Sequence, residues 1–266
     1  MEVAERLNVP LFAETQFYKR SHNRRFTLDR FGLQCQMLRG RQLYESLKIS
    51  KYYWRDFFLG SDSLKMSPIL FDEAHFEYDY RITDVTSPVY LSGYWQSERY
   101  FPSVAEQLKK EIQIPPSSAV KSLADEIDEQ AVCLHVRRGD FFHNPLISRI
   151  NGVCDKEYYA TAIRALKERL SNPRFYVFTD EPGAVDFVSD LVEGPVMVGE
   201  YTNGDDLAEF SLMQKFGNFI IANSTFSWWA AWSSFSDNKI VVCPSRWFAD
   251  TSINSNDLYP AGWLRF

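Results

Sequence analysis

What this chain has little of narrows it first. Its 266 residues hold four cysteines, Cys35, Cys133, Cys154 and Cys243, and none is paired at Cys-x-x-Cys or zinc-ligand spacing. That excludes a disulfide scaffold and leaves plain buried thiols in a reducing compartment. No apolar run approaches the roughly 18 residues that a membrane span needs. The start, "MEVAERLNVPLF", has acids where a signal peptide has a basic and then an apolar stretch. Positive charge is short as well. A formal net charge of −6 argues against a general nucleic-acid binder, while a local basic pocket stays open. No Asp-x-Asp follows an apolar strand and no His/Cys cluster has ligand spacing, so no metal is expected. Internal repeats and low-complexity segments are missing too.

What is present is core material. Hydrophobic residues make up 45%, enough for one large domain or two small ones, and aromatics make up 16%, a share that also suits sugar and nucleotide pockets. Val3, Ala4 and Leu7 have helical spacing up to Asn8-Val9-Pro10, and "PLFAE" reads as a short strand. "LQCQMLRGRQLYESL" reads as a helix carrying Gly40. "SPVYLSGYWQSERYF" reads as a strand at Val89–Leu91, a Ser-Gly turn and a polar aromatic edge, and "SVAEQLKKEI" as a helix. "QIPPSSAV" breaks the pattern and marks a domain boundary, giving domains over 1–115 and 116–266. The second half alternates: strand "AVCLHV", a loop, helix "KEYYATAIRALKERL", strand "RFYVFTD", helix "PGAVDFVSDL", strand "PVMVG", helix "DDLAEFSLMQKF", strand "NFIIAN", helix "TFSWWAAWSSF" and strand "KIVVCP". Such alternation predicts an α/β fold with a doubly wound, mostly parallel sheet.

Ligands of open α/β sheets bind beyond the carboxyl ends of the strands. Three polar clusters fall there: "HVRRGD", "FTDEP" and "ANSTFS". Arginine forks make two-point contacts with phosphate oxygens, so Arg137 and Arg138 are candidate diphosphate clamps. The alternative is a structural ion-pair cluster. Gly139 permits a sharp turn, and Asp140 would orient an arginine or act as a base. Asn223, Ser224 and Thr225 lie between a strand and a helix, where hydroxyls and free amides hold anions. Asp205 and Asp206 stand at a helix start, either as a cap or as a carboxylate for a guanine base. Trp228, Trp229 and Trp232 share helical spacing and read as core rather than as a sugar platform.

Five blocks in order, "GYWQSERYF", "HVRRGDF", "IIANSTFSWWAAW", "CPSRWF" and "DLYPAGWLRF", resemble bacterial α-1,2-fucosyltransferases. The resemblance runs along the whole chain. It implies a GT-B fold of two Rossmann-like halves and transfer of L-fucose from GDP-fucose to the 2-hydroxyl of a galactose-terminated oligosaccharide, inverting and metal-independent. It further implies a cytoplasmic enzyme with no cofactor beyond its donor substrate, which lipid-linked acceptor glycans would bring to the inner face of the membrane. Arg137 and Arg138 match the family's diphosphate arginines, and Ser224, Thr225 and Ser227 its phosphate-side loop, beside Asn223. His135 and Asp140 match members of the motif, Asp180 and Asp206 fall near the donor, and Tyr94, Trp95, Gln96 and Glu98 on the acceptor side. Family members open with a strand and a "GGLGNQ" loop ahead of the first helix, so an incomplete N-terminal half is expected here. That leaves a second reading, a non-catalytic relative that holds GDP and glycan.

Overall fold

The structure is a computed structural model describing residues 1–15, 18, 26–38, 70–86, 89–181, 183–236 and 238–266. The chain divides into two compact units, residues 1–111 with 256–258, and residues 112–255 with 259–266.

The first unit opens with helix α1 (Glu2–Leu7), ended by Asn8 in the left-handed conformation at φ 52°. Strand β1 (Phe12–Glu14) pairs in parallel with β2 (Gln36–Leu38), and β3 (Leu70–Asp72) with β4 (Tyr90–Ser92). The expected helix over 33–47 is overturned at its start. Gln36–Leu38 is a strand, because pairing with β1 satisfies its backbone and its burial deepens from exposed Gln36 to buried Leu38, which local helix propensity does not see. The rest of that expectation, from residue 39, lies outside the described residues. Helix α2 (Ala105–Glu111) forms as its spacing predicts. The returning turn at 256–258 is tied in by Asp257, which accepts from the Tyr78 N–H at 2.8 Å and the Arg99 guanidinium at 2.7 Å.

The second unit contains α3 (Lys121–Glu126), β5 (Ala131–Val136), α4 (Gly139–His143), α5 (Pro145–Asn151), α6 (Lys156–Lys167), β6 (Arg174–Thr179), α7 (Ala184–Ser189), β7 (Val196–Met197), α8 (Gly199–Thr202), α9 (Asp206–Met213), β8 (Asn218–Ile220), α10 (Thr225–Ser233), β9 (Ile240–Cys243) and β10 (Leu264–Arg265). The stretch expected as a loop behind β5 is helical instead. Asn144 starts α5 by accepting from the Leu146 and Ile147 N–H groups, ahead of Pro145 in the first turn, a start signal that the glycine and arginines before it mask.

The six strands are all parallel, in the order β10-β9-β8-β5-β6-β7. From β5 the chain steps outward through β6 and β7, then restarts beside β5 and steps the other way. This is the order of a doubly wound sheet, and its switch point lies between β5 and β8. Every residue of β5 is buried, as the unbroken run "AVCLHV" requires of a central strand covered on both faces. Burying a side chain such as Leu134 contributes about 1.5–3 kcal/mol. Helix α6 pins both strands at the switch point. The Tyr159 hydroxyl donates to the His135 carbonyl at 3.1 Å and the Tyr158 hydroxyl to the Ile221 carbonyl at 2.6 Å. The tryptophans of α10 are core, with Trp228 and Trp232 buried and their rings stacked at 6.2 Å.

Candidate anion site at the switch point

The chain leaves β5 as Arg137-Arg138-Gly139-Asp140 and leaves β8 as Ala222-Asn223-Ser224-Thr225. The two ends meet: the His135 ring lies 6.1 Å from that of Phe226, in the first turn of α10.

Arg137 is held by two carboxylates, Asp140 at 2.6 Å and Asp180 at 3.0 Å. Its Nε is buried and makes no hydrogen bond. Arg138 donates its Nε to Glu181 at 3.0 Å, and its guanidinium lies over Phe142 at 4.3 Å and Phe187 at 5.1 Å. The other Glu181 oxygen meets His143 Nε2 at 3.2 Å. Asp180, at the end of β6, also accepts from the Arg138 N–H at 2.9 Å. It approaches Gly139 so closely that a Cβ there would collide with its carboxylate. Glycine leaves room for this approach, and any side chain there would force the Asp180 carboxylate to shift.

His135 is buried and its Nδ1 has no partner. Burial first, and the Arg137 charge second, press its pKa down to about 3. At neutral pH the ring is uncharged, fit to hydrogen-bond and not to take up a proton. Opposite it, α10 begins at Ser224, whose side chain makes no capping bond. The first N–H groups of a helix have no intrahelical acceptor, and here the cap hydroxyl takes none of them. Ser227 is buried and donates to the Ser224 carbonyl at 3.3 Å, while Thr225 stays half-buried at the helix start.

Asn223 is otherwise engaged. Its amide donates to the Asn151 and Trp247 carbonyls at 2.8 and 3.0 Å, strapping the loop down. It also lines a cleft of ≈ 560 Å³ with Cys154, Tyr158, Arg246 and Phe248, which neither Arg137 nor Ser224 borders. Asp205 is the cap of α9, accepting from the Leu207 and Ala208 N–H groups, while Asp206 is exposed in its first turn. Glu209, one turn on, escaped the sequence reading. It accepts from the Thr202 hydroxyl at 2.8 Å, and burial first, then the charges of Asp206, Asp205 and Asp180, raise its pKa. Glu181 escaped too, though it stands in the quoted "FTDEP"; the odd signal was a second acid directly behind Asp180.

In the first unit, Tyr94 is exposed, Trp95 half-buried, Gln96 buried, and Glu98 opens a 3₁₀ turn capped by Ser97. Among the described residues no three His, Cys, Asp or Glu side chains gather as metal ligands, and no helix is long and apolar enough to cross a membrane.

The family model "Glycosyl transferase family 11" matches residues 47–266. A curated relative, alpha-1,2-colitosyltransferase of Escherichia coli, is 36% identical over 177 residues, which cover 65% of this chain and 61% of that protein. The O-antigen biosynthesis glycosyltransferase WbnK of the same organism is 35% identical over 131 residues, covering 49% of this chain and 43% of it. The matched stretches thus span less than two thirds of either relative. The chain belongs to glycosyl transferase family 11.

Proposed function

We propose that this chain, a glycosyltransferase of family 11, moves L-fucose from GDP-fucose to the 2-hydroxyl of a galactoside with inversion and without metal. The observation that carries this reading is the pair of polar strand ends at the switch point. Behind β5 and β8 stand two arginines, a nine-residue helix whose cap serine makes no side-chain bond, and a buried His135 nitrogen without a partner. A phosphate there would meet the arginine charges, which already carry carboxylate partners, together with the first α10 amides and that nitrogen.

In this mechanism the galactoside oxygen forms a bond to C1 of fucose as the bond from C1 to the β-phosphate oxygen breaks. That bond's electron pair leaves with GDP, and the hydroxyl proton passes to a base. Charge grows on the departing phosphate, where Arg137, Arg138 and the α10 amides, with the hydroxyls of Ser224, Thr225 and Ser227, stabilise it. Asp140 and Asp180 aim Arg137. His135, neutral at working pH, contributes a hydrogen bond and is not the base. Asp206 lies on the donor side. In the wider arrangement, residues 116–266 form the donor domain and 1–115 the acceptor domain of a GT-B enzyme, with Tyr94, Trp95, Gln96 and Glu98 on the acceptor side. The enzyme works in the cytoplasm, reaching the membrane face where its acceptor is lipid-linked.

A second donor is favoured by the similarity to a protein named alpha-1,2-colitosyltransferase. Colitose is an L-fucose lacking one ring hydroxyl, so the same phosphate grip serves either sugar. The experiment is transfer by the purified chain from GDP-fucose and from GDP-colitose to lactose and N-acetyllactosamine, with EDTA present. Product from GDP-fucose supports the first reading, and product from GDP-colitose alone moves the assignment to the second. GDP binding by calorimetry with no product from either donor identifies a non-catalytic binder.

A further inference from the structure

The parallel pair of the first unit ends in a turn built around one carboxylate. Glu73 follows β3 directly, and its N–H donates to the Ser92 carbonyl at 2.8 Å, extending the pairing by a residue. Its side chain reaches past the end of β4, where Oε2 accepts from the Tyr94 N–H at 2.6 Å and the Trp95 N–H at 3.0 Å. Gly93 has φ 153° and Trp95 φ 50°, and a Cβ at Gly93 would collide with the Glu73 side chain. A non-glycine residue held left-handed is strained, so the surroundings must impose it. Trp95 is anchored inward against Phe71 at 5.9 Å and Tyr100 at 5.2 Å. Between the two special positions Tyr94 is turned outward, 60% exposed, its ring tilted against that of Phe76 at 5.4 Å.

Core packing does not explain a strained, carboxylate-held turn that points an aromatic ring into solvent. The charges nearby favour a neutral occupant. Among the described residues Arg81 is held by Asp79 and Arg99 by Asp257, while the Glu73 carboxylate and its neighbour Asp72 put negative charge at the turn, hostile to an anion.

We propose that Glu73 is a positioning residue, fixing the turn at 93–95 so that Tyr94, braced by Phe76, offers its face to a pyranose ring of the acceptor glycan. This rests on the glycosyl-transfer reading above. The C–H face of a pyranose is apolar and weakly positive, matching the negative face of the phenol ring, while the Tyr94 hydroxyl is free to meet sugar hydroxyls at the rim.

Transfer kinetics and saturation-transfer NMR with lactose and N-acetyllactosamine test it. Tyr94→Ala is expected to raise the acceptor KM by roughly tenfold or more while the donor KM moves less than twofold, and Tyr94→Trp to keep most of the affinity. Glu73→Gln, which retains an acceptor oxygen, should raise the acceptor KM a few fold, and Glu73→Ala as much as Tyr94→Ala. In NMR, saturation reaching the sugar protons from the wild type should vanish in Tyr94→Ala. Equal rises in both KM values overturn the proposal, as does undiminished saturation in Tyr94→Ala or none in the wild type. GDP binding, which involves neither residue, reports separately on the donor reading.

Discussion

The two strand ends at the switch point present polar groups of opposite kinds. Behind β5 stand full charges, and each arginine is already neutralised by acids, Arg137 by Asp140 and Asp180, Arg138 by Glu181. Behind β8 stand the backbone dipoles of α10, with a cap residue that takes none of its N–H groups. The contrast follows from desolvation. A half-buried guanidinium cannot stand alone without several kcal/mol of penalty, so the fold supplies it with counter-charges. Peptide dipoles carry only about half a charge at a helix end and stand without such a partner. The β5 end is thus costly and strong, and the β8 end cheap and weaker.

The largest expected effect breaks the charged side. Arg137→Ala should lower kcat by about a hundredfold or more, about 3 kcal/mol of lost transition-state stabilisation. Thermal melting should change little, and a kcat within tenfold of wild type would remove Arg137 from the phosphate.

Next is the packing that aims the arginines. Gly139→Ala drives a methyl group into the Asp180 carboxylate. It should cost about 1–3 kcal/mol of stability by urea unfolding and lower kcat in step, since Asp180 also holds Arg137. Unchanged stability would mean that Asp180 yields freely and is no part of a rigid clamp.

His135 sits between the two ends and supplies a pH test. Its folded pKa of about 3 lies below the ordinary histidine value, so the unfolded chain binds the extra proton. The neutral ring's contribution is fully present above about pH 6.5 and is lost as the pH falls toward 3. Between pH 6 and 5 this one group should lower the unfolding free energy by about 1 kcal/mol, and His135→Gln should flatten the slope accordingly.

The smallest effect belongs to the dipole side. An ordinary cap serine is worth about 1 kcal/mol, but Ser224 makes no capping bond. Ser224→Ala should therefore shift stability by less than about 0.5 kcal/mol while GDP affinity, read by calorimetry, falls several fold. A loss of 1 kcal/mol or more in stability with unchanged GDP affinity would make Ser224 a plain structural cap.

Much of this arrangement was legible in the sequence because it is local. The unbroken run from Ala131 to Val136 could only be a covered central strand, and helix spacing over 156–167 and 225–233 set those elements. "HVRRGD" and "ANSTFS" followed their strands directly, so alternation alone put both at the ligand-binding edge. Asp205 was readable as a cap for the same reason: its partners are two and three residues away.

What the sequence left undetermined depends on residues distant along the chain. The choice of strand over helix for Gln36–Leu38 was made by β1, more than twenty residues earlier. Asp180 and Glu181 meet the arginines across 42 and 43 residues, and Glu73 meets Tyr94 across 21. The His135 pKa is set by how thoroughly its surroundings exclude water. Backbone propensity and side-chain periodicity act over a few residues and were fixed by the sequence itself. Counter-charge and desolvation depend on which groups packing brings within a few ångströms, and only the tertiary structure decides that.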